Sequence, residues 1–208
     1  MKTYTVKSIF GPTIQGEGTY AGSVVKFLRF AGCNKWSGRE EDRAKSVCWY
    51  CDTDFRGGDK LTADDIVTRL NALGACRRVV LSGGEPSLQI DEALLKALIA
   101  ADYELHIETN GSRDIGELAG LFTHITCSPK QPRDLTLLEY AHDLKLLWPP
   151  PLPEMTMKSF EDFEADHFYL QPLWTDKYDA NLKAAVQTAL DNPDWKISVQ
   201  THKIIGVE

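Results

Sequence analysis

The feature that most constrains this chain is an alternation of short apolar runs with stretches of helical period, repeated from residue 24 almost to the end. VVKFLRF (24–30), RRVVLS (77–82), ELHIET (104–109), THITCS (123–128), DLKLL (143–147), HFYL (167–170) and WKISVQ (195–200) read as strands. Between them, Thr62 caps a helix in which Ile66, Val67, Leu70 and Leu73 share a face until Gly74. Residues 91–101 predict a second helix with Leu94, Leu95, Leu98 and Ile99 inward. Residues 178–190 predict a third with Leu182, Ala185, Val186 and Ala189 inward. Strands that alternate with helices make βα units, so the expected class is α/β with a mainly parallel sheet.

Polar side chains gather where those strands stop. Ser82, Glu108, Asn110, Ser128, Lys130, Gln171 and Gln200 to His202 all lie at or just after a C-terminal strand end. In parallel α/β folds that edge is where the following loops build a site. Composition narrows the field further. With 43% apolar and 25% charged residues the 208-residue chain is globular. Its longest apolar run is far below the roughly 20 residues that span a bilayer, and the first residues carry no signal-peptide pattern. A net charge of −7 disfavours nucleic-acid binding. The expectation is one domain, residues 1–208, in the cytoplasm, with no membrane and no nucleic acid among its partners.

Five cysteines are present, and an odd number without an export signal points to reduced thiols. Cys76 and Cys127 sit in or beside apolar stretches and are expected in the core. Cys33, Cys48 and Cys51 cluster instead in a polar segment, residues 31–60. Cys48-Trp-Tyr-Cys51 is a C-x2-C hairpin that brings two thiolates to one centre. A structural zinc would need a fourth ligand, and residues 26–75 supply no further Cys or His. A thioredoxin-like pair would leave Cys33 unused. Three thiolates suit a [4Fe–4S] cluster with one iron left open to a ligand. A zinc-stabilised binding module stays as the non-enzyme alternative.

The cysteines, together with Ser82-Gly83-Gly84-Glu85-Pro86 after the next strand, resemble the radical S-adenosylmethionine (SAM) superfamily. Here fourteen residues separate Cys33 from Cys48 where that superfamily usually has three, so the cluster loop (31–60) is enlarged. An ordered set of further segments is similar to the 7-carboxy-7-deazaguanine synthases: residues 12–18 (PTIQGEG), Arg29, Cys51-Asp52-Thr53, Glu108-Thr109-Asn110-Gly111, Ser128-Pro129-Lys130 and Gln171-Pro172-Leu173. A glycyl-radical-enzyme activase is the alternative within the superfamily, and it does not call for the IQGEG segment.

The resemblance implies a partial (β/α) barrel of about six mainly parallel strands with the cluster at the C-terminal mouth. It also implies a carbon–nitrogen lyase of queuosine biosynthesis. A hydrogen would be taken from C6 of 6-carboxy-5,6,7,8-tetrahydropterin, and ring contraction with loss of ammonia would give 7-carboxy-7-deazaguanine. Cys33, Cys48 and Cys51 would hold the cluster, and Thr53 a Mg2+. SAM would meet Tyr50, Asp52, Gly83, Gly84, Glu85, Glu108, Asn110, Ser128, Pro129, Lys130 and Gln171, Pro172, Leu173 and Trp174. Glu85 would face its ammonium and Ser128 with Lys130 its carboxylate. The pterin would meet Ile14, Gln15, Gly16, Glu17, Arg29, Ser82, His202 and Glu208, with Arg29 on the substrate carboxylate. The eight residues after Gln200 are too few for another element but long enough to fold back over the mouth. An open barrel edge favours a homodimer, and a flavodoxin-like protein is the implied electron donor.

Overall fold

The computed structural model describes residues 2–136 and 138–208. Its strands are β1 (Tyr4–Ile14), β2 (Val24–Phe30), β3 (Asp59–Leu61), β4 (Arg78–Gly83), β5 (Glu104–Thr109), β6 (His124–Cys127), β7 (Tyr140–Trp148), β8 (Glu164–Pro172) and β9 (Trp195–Ile197). They form one sheet in the order β3-β1-β2-β4-β5-β6-β7-β8-β9. β1 pairs antiparallel with both β2 and β3, and every pair from β2 to β9 is parallel. The parallel part therefore has seven strands, and the sheet is the partial barrel expected.

Helices α1 (Ala63–Ala72), α2 (Glu92–Ala100) and α3 (Tyr178–Asp191) cover its outer face. Thr62 starts α1 with a capping box: its hydroxyl accepts from Asp65 N, and the Asp65 carboxylate accepts from Thr62 N at 2.9 Å. The other end of α1 is closed from the sheet. Lys26, fully buried on β2, donates to the Leu70 and Gly74 carbonyls at 2.8 and 2.7 Å. Asp91 caps α2 through Leu94 N and also accepts from the Tyr4 hydroxyl, fixing β1 beside that helix. Ile66, Leu70, Leu94, Leu95 and Leu98 then pack on the outward residues of β2, β4 and β5, among them Leu28, Val79, Leu81, Leu105 and Ile107.

Several expectations need correcting. The strand β1 was not anticipated, because YTVKSIFGPTI alternates imperfectly and contains Gly11 and Pro12. Ile99 and Val186 point outward, 42% and 40% exposed, since each sits at the border of its helix's apolar stripe. Cys76 lies half-exposed in the turn before β4, whereas Cys127 is fully buried. Among the described residues, short 3-10 turns stand between β5, β6, β7 and β8 in place of α-helices. The last residues do make an element, the single-turn helix α4 (Thr201–Ile205).

Candidate active site

Side chains on the inner face of the sheet rise in layers from floor to mouth. At the floor, Arg78 pairs with Glu104, and Tyr20 lies edge-on to His106 and His124. One level up, Asp143 accepts from Thr19 N and Oγ1 at 2.9 and 2.7 Å and meets His124 at 3.1 Å. Above them Ser82, Glu108, Lys145 and Gln171 border a cavity of about 200 Å3 at the C-terminal mouth.

The cysteine segment forms one wall of this cavity. Cys33, Cys48 and Cys51 all border it, backed by a small apolar cluster of Trp36, Cys48 and Phe55. Burial pushes the Cys33 and Cys48 thiols up, with Lys130 acting in the opposite sense on Cys48. Burial and the neighbouring Cys48 also push the Tyr50 hydroxyl well up. The segment is pinned to the strand ends by single contacts. Asn34 donates to Ser112 at 2.7 Å and accepts from Asn110 at 3.1 Å, and Lys35 pairs with the buried Asp134. Arg43, from the enlarged part of the loop, donates to the Trp49 and Cys51 carbonyls at 2.8 and 2.9 Å and lies over the Trp36 ring.

Gly83 and Gly84 explain why the GGEP turn lies under this wall. A Cβ on Gly84 would come 2.0 Å from the Gly32 carbonyl oxygen and 2.9 Å from Cys33 Cβ. The turn abuts Gly32, just before the first cysteine, backbone to backbone, and Glu85 N donates to the Gly32 carbonyl at 2.9 Å. Glu85 borders the cavity and also serves the fold. Its carboxylate is buried and already accepts from Ser87 N, Thr109 Oγ1 and Asn110 N at 3.0, 2.7 and 2.8 Å. It ties the end of β4 to the end of β5.

With Glu85, most of the residues singled out for SAM border this first cavity: Tyr50, Asp52, Gly83 and Gly84, then Glu108, Asn110, Ser128 and Lys130, then Gln171, Leu173 and Trp174. Pro129 and Pro172 stand outside its lining and shape the backbone beside it. Lys130 Nζ donates to Ser128 Oγ at 2.9 Å, so the hydroxyl and the ammonium act as one unit.

A second cavity, about 250 Å3, adjoins the first and shares Glu17, Asp52, Thr53, Ser82, Glu108 and Gln200 with it. Ile14, Gln15, Gly16, Arg29, His202 and Glu208 border it as well, so the residues singled out for a pterin converge from four separate stretches of chain. Phe10 and Phe27, which sequence reasoning passed over, stack at 5.1 Å along one side. Arg29 lies over the Phe10 ring, and its buried Nε has no hydrogen-bond partner among the described residues. A buried guanidinium N–H left this way is a site for an acceptor from outside the chain. Gly16 is forced by α4: a Cβ there would sit 1.9 Å from His202 Nδ1. Thr201 donates twice to the Gly16 carbonyl, at 3.0 and 3.1 Å, and Thr13 Oγ1 donates to the Glu208 carbonyl oxygen at 2.7 Å. The tail thus closes this side, and Lys203 pairs with Asp52 while lying 4.6 Å over Trp174.

Three comparisons bear on this geometry. Residues 44–162 match the model of the Radical SAM superfamily. The 7-carboxy-7-deazaguanine synthases of Bordetella pertussis and Caulobacter vibrioides are each 43% identical to the chain, over 98% and 99% of it and 99% of their own length. The chain belongs to the 7-carboxy-7-deazaguanine synthases of the radical SAM superfamily. As a radical SAM enzyme it uses a [4Fe–4S] cluster and SAM. The crystal structure of QueE from Escherichia coli shares the fold, with a TM-score of 0.65 over 95% of this chain and 94% of that one at 19% identity.

The residues present fit that cofactor pair. Three thiols on one wall have open space before them, and a hydroxyl–ammonium unit and a row of strand-end acceptors stand around the same space. Among the described residues, no group of three or more His, Cys, Asp or Glu side chains is arranged to hold a single metal ion. No helix among them is long and apolar enough to cross a membrane. Sequence reasoning missed Lys35 and Lys145. Lys145 sits mid-strand in an apolar run, and the one signal for it was a lysine at an inward position of DLKLL.

Proposed function

We propose that this chain converts 6-carboxy-5,6,7,8-tetrahydropterin to 7-carboxy-7-deazaguanine and ammonia, a step in the making of 7-deazapurines such as queuosine. The observation that carries the reading is the pair of adjoining cavities that share Ser82, Glu17 and Glu108, one bordered by the three cysteines and the other by Arg29 with its unpartnered Nε. Cluster and SAM, when bound, supply the radical that starts the reaction. The protein's residues bind, orient and exclude water. Cys33, Cys48 and Cys51 hold the cluster. Lys130 with Ser128 takes the methionine carboxylate, and Glu108 with Asn110 the ribose. Gln171, Leu173 and Trp174 border the adenine. Arg29 donates to the pterin carboxylate in a charge-assisted contact, while Glu17, held ionised by Lys145, accepts from the pterin's N–H donors. Ser82 stands at the seam where both ligands meet, which is the proximity a radical transfer needs.

Thr53 borders both cavities and would offer its oxygen to a Mg2+ that also contacts the substrate. A cytoplasmic location, a homodimer that covers the open sheet edge and a flavodoxin-like reductant complete the reading. The test is anaerobic reconstitution with iron and sulfide, reduction, and addition of SAM and the pterin. Formation of 7-carboxy-7-deazaguanine is the expected result. Cleavage of SAM with the pterin left unchanged would overturn the assignment.

A further inference from the structure

Lys145 lies on the inner face of β7, opposite Tyr169 of β8, and its side chain is almost wholly buried. Its ammonium pairs with Glu17 and, at 3.1 Å, with Glu108 Oε2. Gln200 donates to the other oxygen of Glu17 at 2.8 Å, and Gln15 approaches the other oxygen of Glu108 at 3.3 Å. Glu17, Glu108 and Lys145 all border the first cavity, and both carboxylates border the second as well.

A buried ion triad is an expensive way to hold two strands and a loop together; apolar side chains of like volume do as well or better. Its value lies in what it fixes. Glu17 comes from the glycine-rich segment between β1 and β2, where no regular structure sets its side chain. Lys145 and Gln200 each take one of its oxygens and so orient the carboxylate. Two carboxylates facing one space cannot both stay ionised without a cation between them.

We propose that Lys145 is a positioning residue for the pterin: it keeps Glu17 an oriented anion and couples it to Glu108 on the SAM side. The proposal rests on the functional reading above. Burial works to raise the carboxyl of Glu17, but Lys145, followed by Gln200 and His202, holds it well below the usual range, while burial leaves Glu108 raised despite the same ammonium. The other charged groups around the triad are accounted for. Asp143, lower on β7, is held by Thr19 and His124. His202 faces Glu17 from α4, and Lys203 beside it is paired with Asp52.

The experiment uses reconstituted enzyme under anaerobic conditions. It measures pterin affinity by equilibrium dialysis, with kcat and KM, between pH 5.5 and 8.5. Lys145→Met should weaken pterin binding about tenfold or more near pH 6 and recover part of it as the pH rises and Glu17 loses its proton. The wild type should show no such slope. Lys145→Arg should keep affinity within a few-fold and restore the wild-type profile. The double variant Lys145→Met/Glu108→Gln removes the competing carboxylate and should flatten the slope again; it carries the test if the single Met variant does not fold. Wild-type affinity at every pH in the Met variant would overturn the proposal, as would a pH-independent loss that Arg does not rescue. A wild type that cleaves SAM yet never binds the pterin would remove the functional reading, and this proposal with it.

Discussion

Residues 31–58 and the ends of β4 to β8 face each other across one cavity, but the first wall hangs on scattered contacts and the second on a continuous ladder. The strand ends inherit their positions from the parallel pairing and from the apolar layer outside it, where Val79, Leu81, Leu105, Ile107 and Leu144 are buried. The cysteine wall has only a three-residue apolar cluster and contacts such as Asn34 to Asn110, Lys35 to Asp134 and Arg43 to the hairpin carbonyls. Cooperative structure that depends on few contacts opens first. Ligands that bind only the folded wall stabilise it by mass action. The cluster would complete a wall the chain leaves weak, whereas the opposite wall forms without it.

The largest expected effect tests that division directly. Replacing Cys33, Cys48 or Cys51 with Ala should abolish iron binding and SAM cleavage while the far-ultraviolet circular dichroism of the sheet is kept. Cys76→Ala, in the turn on the far side of β4, should leave iron content unchanged. Loss of the whole fold in a ligand variant would show that the two walls are not independent. Next comes Gly84→Ala, which strikes where the walls touch. The new methyl group meets the Gly32 carbonyl and Cys33, and overpacking of this kind costs about 1–3 kcal/mol. Iron incorporation should fall severely, and full loading would show that the loop has room to give.

The same contrast explains what was legible in the sequence. Strands β4, β5 and β6 announced themselves by β-branched apolar runs that end in Gly, Asn-Gly or Pro, and the residues just past them reach the cavity as expected. The cysteine spacing identified the opposite wall. Contacts made across large separations were not legible. Lys26 looks like any lysine on an alternating strand until α1 places two carbonyls over it. Lys145 stands at an inward position of DLKLL, but its partner Glu17, far earlier in the chain, is seen only once the fold threads it beside the strand. Glu85 was visible as a charge next to a glycine turn, but its capture by Thr109 and Asn110 depends on the β4–β5 register.

A smaller effect is expected at Arg29, on the ladder-built side. Arg29→Ala should raise KM for the carboxylated pterin far more than for SAM. The loss of one charge-assisted contact is worth about 1.5–3 kcal/mol, or roughly tenfold or more. The unpartnered Nε motivates this, because among the described residues that buried N–H meets no acceptor and the guanidinium lies over the Phe10 ring. Equal changes for both ligands would mean that Arg29 supports the wall and does not read the substrate.

The smallest effect should come from Arg43, where the variant isolates what the enlarged loop contributes. Arg43 reaches back over the C-x2-C hairpin, bonds two of its carbonyls, stacks on Trp36 and is itself held by Glu40 through both carboxylate oxygens at 2.8 Å. In Arg43→Ala, water can replace the guanidinium at the exposed Trp49 carbonyl, so the net cost is about 1–2 kcal/mol, from one shielded hydrogen bond and the cation–π contact. The cluster should still assemble and turnover should stay within a few-fold of wild type. Iron release on exposure to air, followed by the loss of visible absorbance, should become several-fold faster. Arg43→Lys should not rescue it, since an ammonium cannot stack on the indole and hold two carbonyls at once. If the Ala variant released iron at the wild-type rate, the hairpin would owe its hold on the cluster to the Trp36–Phe55 packing alone, and the enlarged loop would be a surface feature of no consequence for the cluster.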